Sequence, residues 1–174
     1  MKYFVKFIVV TFFLLICTHT FAEQKIVVLD LKFVLNNSQA GKGAQDFLKQ
    51  SFDVNAKKFS DIEKALKKEE SDLLTKKTVL SKEEYTNKSN TLRKKVIDYQ
   101  SQRRSALDKI SVQRSESKET LLKKIEPILN TYINENKISL VVDKKYILAG
   151  SNANDITNVV IEKLDKELPS LNLK

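Results

Sequence analysis

Arg93-Lys94-Lys95 and Arg103-Arg104 gather five cations into a stretch whose one carboxylate is Asp98. Such side chains make and break no bonds. They hold their charge throughout the physiological pH range and attract anions over a distance. Tyr99 stands between the two clusters and adds an aromatic face with a hydroxyl. These six residues are the candidate binding set, and the chemistry they offer is the recognition of an acidic partner.

Groups that could do more are missing once the start of the chain is read. It opens with Lys2 and Lys6, continues as an apolar run from Phe7 to Cys17, and reaches Thr20-Phe21-Ala22. A basic start, a short apolar core and small residues before the cut make a secretory signal peptide, cleaved after Ala22. The run is shorter than the ~20 residues a bilayer span needs. A buried N-terminal strand or helix is the lesser alternative to a signal peptide. Leu14 before Cys17 also suggests a lipid-anchored cysteine, but Ile16 is bulkier than the residue usual there.

Cleavage removes the only Cys, His and Met, and the chain has no Trp. The mature chain, 23–174, then has no thiol or imidazole for nucleophilic, general-base or metal-ligand work. With Gly41, Gly43 and Gly150 as the only glycines, no glycine-rich phosphate loop can be built. Carboxylate pairs on lysine-rich helices are too common to signal catalysis. The expectation is a protein that is not an enzyme, with no cofactor and no metal.

The cationic clusters need a scaffold, and the sequence describes one. Residues 44–126 contain neither Gly nor Pro. Within them Phe52, Phe59, Leu66, Leu73 and Leu80 fall seven apart, interleaved by Leu48, Asn55, Ile62, Glu69 and Lys76. That is a coiled-coil seam. Ser81-Lys82-Glu83-Glu84 is a capping box and starts a second helix. The first helix is therefore expected from near Ser38–Gly43 to about Leu80, and the second from about Lys82 to about Asn136. Tyr85, Leu92, Tyr99 and Ala106 carry the returning seam, helped by Val96 and Ile110. It fades from Ser111 to Thr120 and resumes at Leu121, and Pro127 should kink the helix near its base.

The chain ends supply a small body. Residues 26–31 read as a strand, residues 33–38 as a turn or one helical turn, and Ile138 to Val142 as a second strand. Tyr146 to Ala149 reads as a third, joined to the second by a hairpin at Asp143-Lys144-Lys145. Asn154 or Asp155 can cap a last helix with Ile156, Val159, Val160 and Leu164 on one face. The organisation is thus a signal peptide at 1–22, a body from 23–41 and 125–174, and a helical hairpin at 42–124. The fold class is α+β, mostly α. A body this small is marginal alone, and a short sheet leaves open edges. Assembly with further copies repairs that, with Ile26, Val28, Leu140 and Val142 in the body core or subunit contacts. The rival repair is the base of the arm covering the sheet.

Charge follows the same division. Residues 42–124 carry 21 basic and 13 acidic side chains, a net +8, while the rest of the mature chain sums to −1. Some of this is the solvated face of a lysine-rich helix, because Asp53–Lys57, Glu63–Lys67 and Asp72–Lys76 are favourable i,i+4 pairs. The clusters around Tyr99 have few such neighbours. Nucleic acid is the usual partner for unpaired cations. A signal peptide argues against it, leaving acidic polypeptides, anionic lipid or lipopolysaccharide.

A signal peptide, a first strand like IVVLDL, a long helical hairpin and a closing segment like ISLVVDKKYILAG…NDITNVVIEKL resemble the Skp/OmpH family of periplasmic chaperones. The resemblance spans the mature chain. Its most specific parts are the order of elements, Leu140-Val141-Val142-Asp143, and Asp155-Ile156-Thr157. It implies a homotrimer joined through its strands, with three hairpin tentacles around a basic cavity. It implies further that unfolded outer-membrane proteins are held in that cavity without ATP. Pro127 is not a family feature, and no residue can be assigned to lipopolysaccharide. The alternative from the residues alone is a structural periplasmic coiled-coil adaptor or spacer with one folded partner.

Overall fold

A computed structural model of the chain describes residues 24–173. The signal peptide and its cleavage junction fall outside the described residues. The order is β1 (Lys25–Leu29), α1 (Leu31–Asn37), α2 (Gln39–Thr75), α3 (Lys82–Glu135), β2 (Ile138–Asp143) and α4 (Thr157–Glu167). Two single 3₁₀ turns, Lys144–Tyr146 and Asn152–Asn154, lie between β2 and α4. Helices α2 and α3 contain 37 and 54 residues. At ~1.5 Å per residue they are about 55 Å and about 80 Å long.

Both long helices start where a side chain satisfies their free N–H groups. Ser38 Oγ accepts from the Gly41 N–H at 3.2 Å. At Ser81 the capping box closes both ways: Glu84 N–H donates to Ser81 Oγ at 3.2 Å, and Ser81 N–H donates to Glu84 Oε2 at 3.1 Å. Gly41 is required by space, since a Cβ there would sit 2.1 Å from the Leu35 carbonyl oxygen. Ser81→Ala should cost about 1 kcal/mol. The loss should appear as faster amide exchange in the first turn of α3, with the body unchanged.

Helix α2 stops at Thr75, not at the expected Leu80. In its last turn the Thr75 hydroxyl donates to the carbonyls of Asp72 (2.9 Å) and Ser71 (3.3 Å). Residues 76–80 form the connecting turn. Helix α3 runs unbroken through Pro127, which is exposed between buried Ile125 and Ile128.

The sheet differs from the expectation. It has two strands, β1 and β2, running parallel. Tyr146 to Ala149 is not a strand. Asp143 Oδ1 accepts from the Lys145 N–H at 3.0 Å and bends the chain into a 3₁₀ turn, away from the sheet. No hairpin forms there, and Tyr146 and Leu148 are left 73% and 105% exposed. The other edge of β1 is taken by a residue read from sequence as a helix cap. Val28 bridges to Asp155, and the Ile156 N–H donates to the Val28 carbonyl at 2.9 Å. The first helical turn, expected as a turn at 33–38, is the seven-residue α1.

The specific motif Asp155-Ile156-Thr157 is therefore a clamp on β1. The Asp30 N–H donates to Thr157 Oγ1 at 2.9 Å, and the Thr157 N–H donates to Asp155 Oδ1 at 2.9 Å. Lys144 Nζ closes it at 2.7 Å from Asp155 Oδ2. Burial pushes the Asp155 carboxyl up, but the Lys144 and Thr157 hydrogen bonds outweigh it and hold it below its ordinary value. A depressed folded-state pKa contributes stability above the unfolded value and loses it as pH falls through the folded one. The melting temperature of wild type should therefore drop more steeply below about pH 4 than that of Asp155→Asn. Parallel melting curves would refute the clamp.

Among the described residues, a cluster of buried apolar side chains lies at the body. Val27 and Leu29 of β1 and Ile138 of β2 pack with Leu121, Ile125 and Ile128 of α3 and with Val160 and Leu164 of α4. The base of the arm thus covers one face of the sheet, so the rival repair is real for that face. The other face is open: Ile26 pairs with Leu140 and Val28 with Val142, and Ile26 and Leu140 are 45% and 53% exposed. None of these four lies in the protomer core. The pleat turns alternate side chains apart, so the buried residues of β1 are Val27 and Leu29. A register irregularity between Lys25 and Ile26 lets Ile138 enter the core ahead of Val141.

Candidate binding surface on the helical arm

Helices α2 and α3 pack antiparallel along the predicted seam. Leu48 and Phe59 of α2 and Leu92 and Ile110 of α3 are buried. Where the apolar row fades, Ser117 and Leu121 keep the seven- and four-residue steps and are buried too. The Ser117 hydroxyl donates to the Gln113 carbonyl at 2.6 Å, which makes its burial tolerable. A small polar residue in the seam is what a search for large apolar residues misses.

The six candidate binding residues separate into two groups. Lys95 and Tyr99 face the partner helix. Lys95 Nζ lies 2.7 Å and 2.8 Å from the two carboxylate oxygens of Glu69. Glu69 occupies a seam position, and a charge there calls for a cross-helix partner. The Tyr99 hydroxyl donates to Glu63 Oε2 at 3.3 Å, and its ring meets Phe59 edge-on, with centroids 6.0 Å apart and planes at 67°. Glu63 also receives Lys67 at 2.7 Å. The Lys67 hydrogen bond and charge, with the Tyr99 hydroxyl, hold the Glu63 carboxyl below its ordinary value. Arg93, Lys94, Arg103 and Arg104 form the second group. All four are exposed and have no ion pair among the described residues.

Apolar groups stand beside the free cations. Ile97 and Leu107 of α3 are 58% and 42% exposed, and Phe52 of α2 is 50% exposed. Ile97 and Arg104 are seven apart, and Arg93 is four before Ile97, so the three share one helix face. Nearby a groove of about 260 Å³ opens between the helices. Phe59 and Tyr99 form its floor, and Phe52, Ala56, Arg103 and Leu107 its walls. Its origin is legible. Ser89, Val96, Arg103 and Ile110 form a seven-residue row in α3. A guanidinium in that row turns out to water, and nothing large fills the gap opposite Asn55 and Ala56.

A family profile described as Outer membrane protein (OmpH-like) matches residues 25–164, which is the whole of this architecture from β1 into α4. The chain belongs to the OmpH-like family. A Skp-like protein of Pseudomonas aeruginosa PAO1 is 22% identical over 170 residues, covering 95% of this chain and 99% of that protein. A crystal structure of an OmpH-like protein from Caulobacter crescentus CB15, described as a candidate outer membrane chaperone, superposes with a TM-score of 0.79. That match covers 90% of this chain and 93% of the other at 19% identity, and it establishes the fold. The arm here sits on a small two-stranded sheet flanked by a C-terminal helix. No helix among the described residues is long and apolar enough to cross a membrane.

Proposed function

We propose that this OmpH-like chain is an ATP-independent periplasmic holdase that captures unfolded outer-membrane protein precursors between its helical arms. The observation that carries the reading is the exposed set Arg93, Lys94, Arg103 and Arg104 beside half-exposed Ile97, Leu107 and Phe52. A client kept soluble needs many weak contacts over a wide area. Long-range attraction brings acidic chains to the arm, and scattered apolar groups hold them without one deep pocket. Unfolded outer-membrane proteins alternate apolar and polar residues and aggregate through unpaired strands, so enclosure protects them.

Enclosure requires more than one arm. The open sheet face around Ile26 and Leu140 supplies the contact for a homotrimer, whose three arms bound a basic cavity. The signal peptide, cleaved after Ala22, places the protein in the periplasm. Anionic lipid or lipopolysaccharide offers phosphates to the same cations. The reaction set is empty: the protein works by binding and release.

Native mass spectrometry of the mature chain mixed with a urea-unfolded porin tests this reading. One porin chain bound to a trimer, formed without nucleotide, is expected. Saturable binding to a single folded protein, with no complex of unfolded chains, would instead identify an adaptor.

A further inference from the structure

We propose that the groove between Phe52, Phe59 and Tyr99 is an aromatic-residue subsite, which takes one aromatic side chain from an unfolded, acidic polypeptide. The inference rests on the holdase reading and names the client feature that this part of the arm selects.

Size is the first argument. The groove measures about 260 Å³, and a closed apolar cavity of ~150 Å³ already admits a benzene ring. One phenyl or phenol ring fits, whereas a folded surface does not enter. Composition is the second. The floor is an edge-on ring pair, Phe59 and Tyr99, and a third ring can extend that geometry. The Arg103 side chain on the wall gives an aromatic ring a cation to stack against, which an aliphatic side chain uses less well.

Charge is the third argument, and it fixes the flanking sequence. The one carboxylate lining the groove is Glu63, and it is already engaged by Lys67 at 2.7 Å and by the Tyr99 hydroxyl at 3.3 Å. Arg103 and Arg104 remain unpaired among the described residues. Arg103 also lies within electrostatic reach of Glu63, so a carboxylate next to the inserted ring is met chiefly by the neighbouring Arg104, which is exposed and in no ion pair among the described residues. The occupant is an aromatic residue with an acidic neighbour. Arrival by charge and retention by the ring are then separable steps.

The test uses the full mature chain and two labelled acidic peptides that differ only in one Phe replaced by Ser. Fluorescence anisotropy should show the Phe peptide bound about tenfold more tightly, the effect of partly burying one ring. The double variant Ala56→Leu, Ser60→Leu fills the groove from exposed positions and leaves the charge unchanged. It should bring the two affinities within about twofold while the Ser peptide binds as before. A preference that survives in the filled variant overturns the proposal, and so does a wild type that binds both peptides alike.

Wild type alone gives a second readout. Benzoylphenylalanine in place of the Phe should form adducts within 52–63 and 99–107. Adducts spread along 42–124 overturn the proposal. Phe-peptide affinity that falls as protein concentration rises would assign the groove to a second copy and overturn it as well. Failure of the holdase reading looks different: wild type would not suppress porin aggregation, whatever its peptide preference.

Discussion

Replacing Arg93, Lys94, Arg103 and Arg104 with Glu should reduce the rate of capture of an unfolded, acidic outer-membrane protein by at least about tenfold at low salt. Each exchange shifts the charge by two, so the arm goes from +8 to zero. Lys95 is kept because it holds Glu69 across the hairpin at 2.7 Å, and reversing it would set two carboxylates against each other. The four replaced side chains are exposed and unpaired among the described residues, so the hairpin and body should melt as in wild type. Added salt should slow wild-type capture in parallel, because attraction beyond ~10 Å is screened at ~0.1 M. Stopped-flow light scattering on both proteins measures the effect. Equal capture by a folded variant would shift the grip to Phe52, Ile97 and Leu107.

The double variant Ile26→Asp, Leu140→Asp should convert the proposed trimer to monomers and remove the proposed protection of the client with it. The two residues pair across β1 and β2 on the open face and are 45% and 53% exposed, so the protomer loses little when they change. In an interface they would place carboxylates in an apolar contact, where an unpaired charge costs several kcal/mol. Val27, Leu29 and the core beneath them are untouched. Light scattering should give the mass of one chain for the variant and of three for wild type. An unchanged mass would place the subunit contact elsewhere, and a monomeric wild type would remove the cavity.

The arm was legible because its signals are local and periodic. The seam positions, the capping box at Ser81 and the start at Ser38 depend on residues within a turn or two of each other. The sheet was less legible because its partners are remote. Asp155 and Ile156 join β1 across more than a hundred residues, and Asp143 turns the chain away just where Tyr146 to Ala149 looked extended. Apolar composition marked Ile26, Val28, Leu140 and Val142 but could not say which side of the pleat the core would take. Clustered charge marked Arg93, Lys94, Arg103 and Arg104, which are exposed, but sequence alone could not show that Lys95 pairs with Glu69 across the hairpin or that Tyr99 packs edge-on to Phe59 at the groove. The groove was missed because it is a gap, and a gap appears only when Arg103 is placed opposite Asn55 and Ala56.

The most direct test of the holdase reading is the turbidity of a porin diluted out of urea into buffer containing only the purified mature chain. With three chains per porin and no nucleotide, the solution should stay clear, and 0.5 M salt present at dilution should weaken the effect by slowing capture, as screening demands at roughly that ionic strength. A porin that aggregates at the same rate with and without the protein, at low salt, would contradict the account.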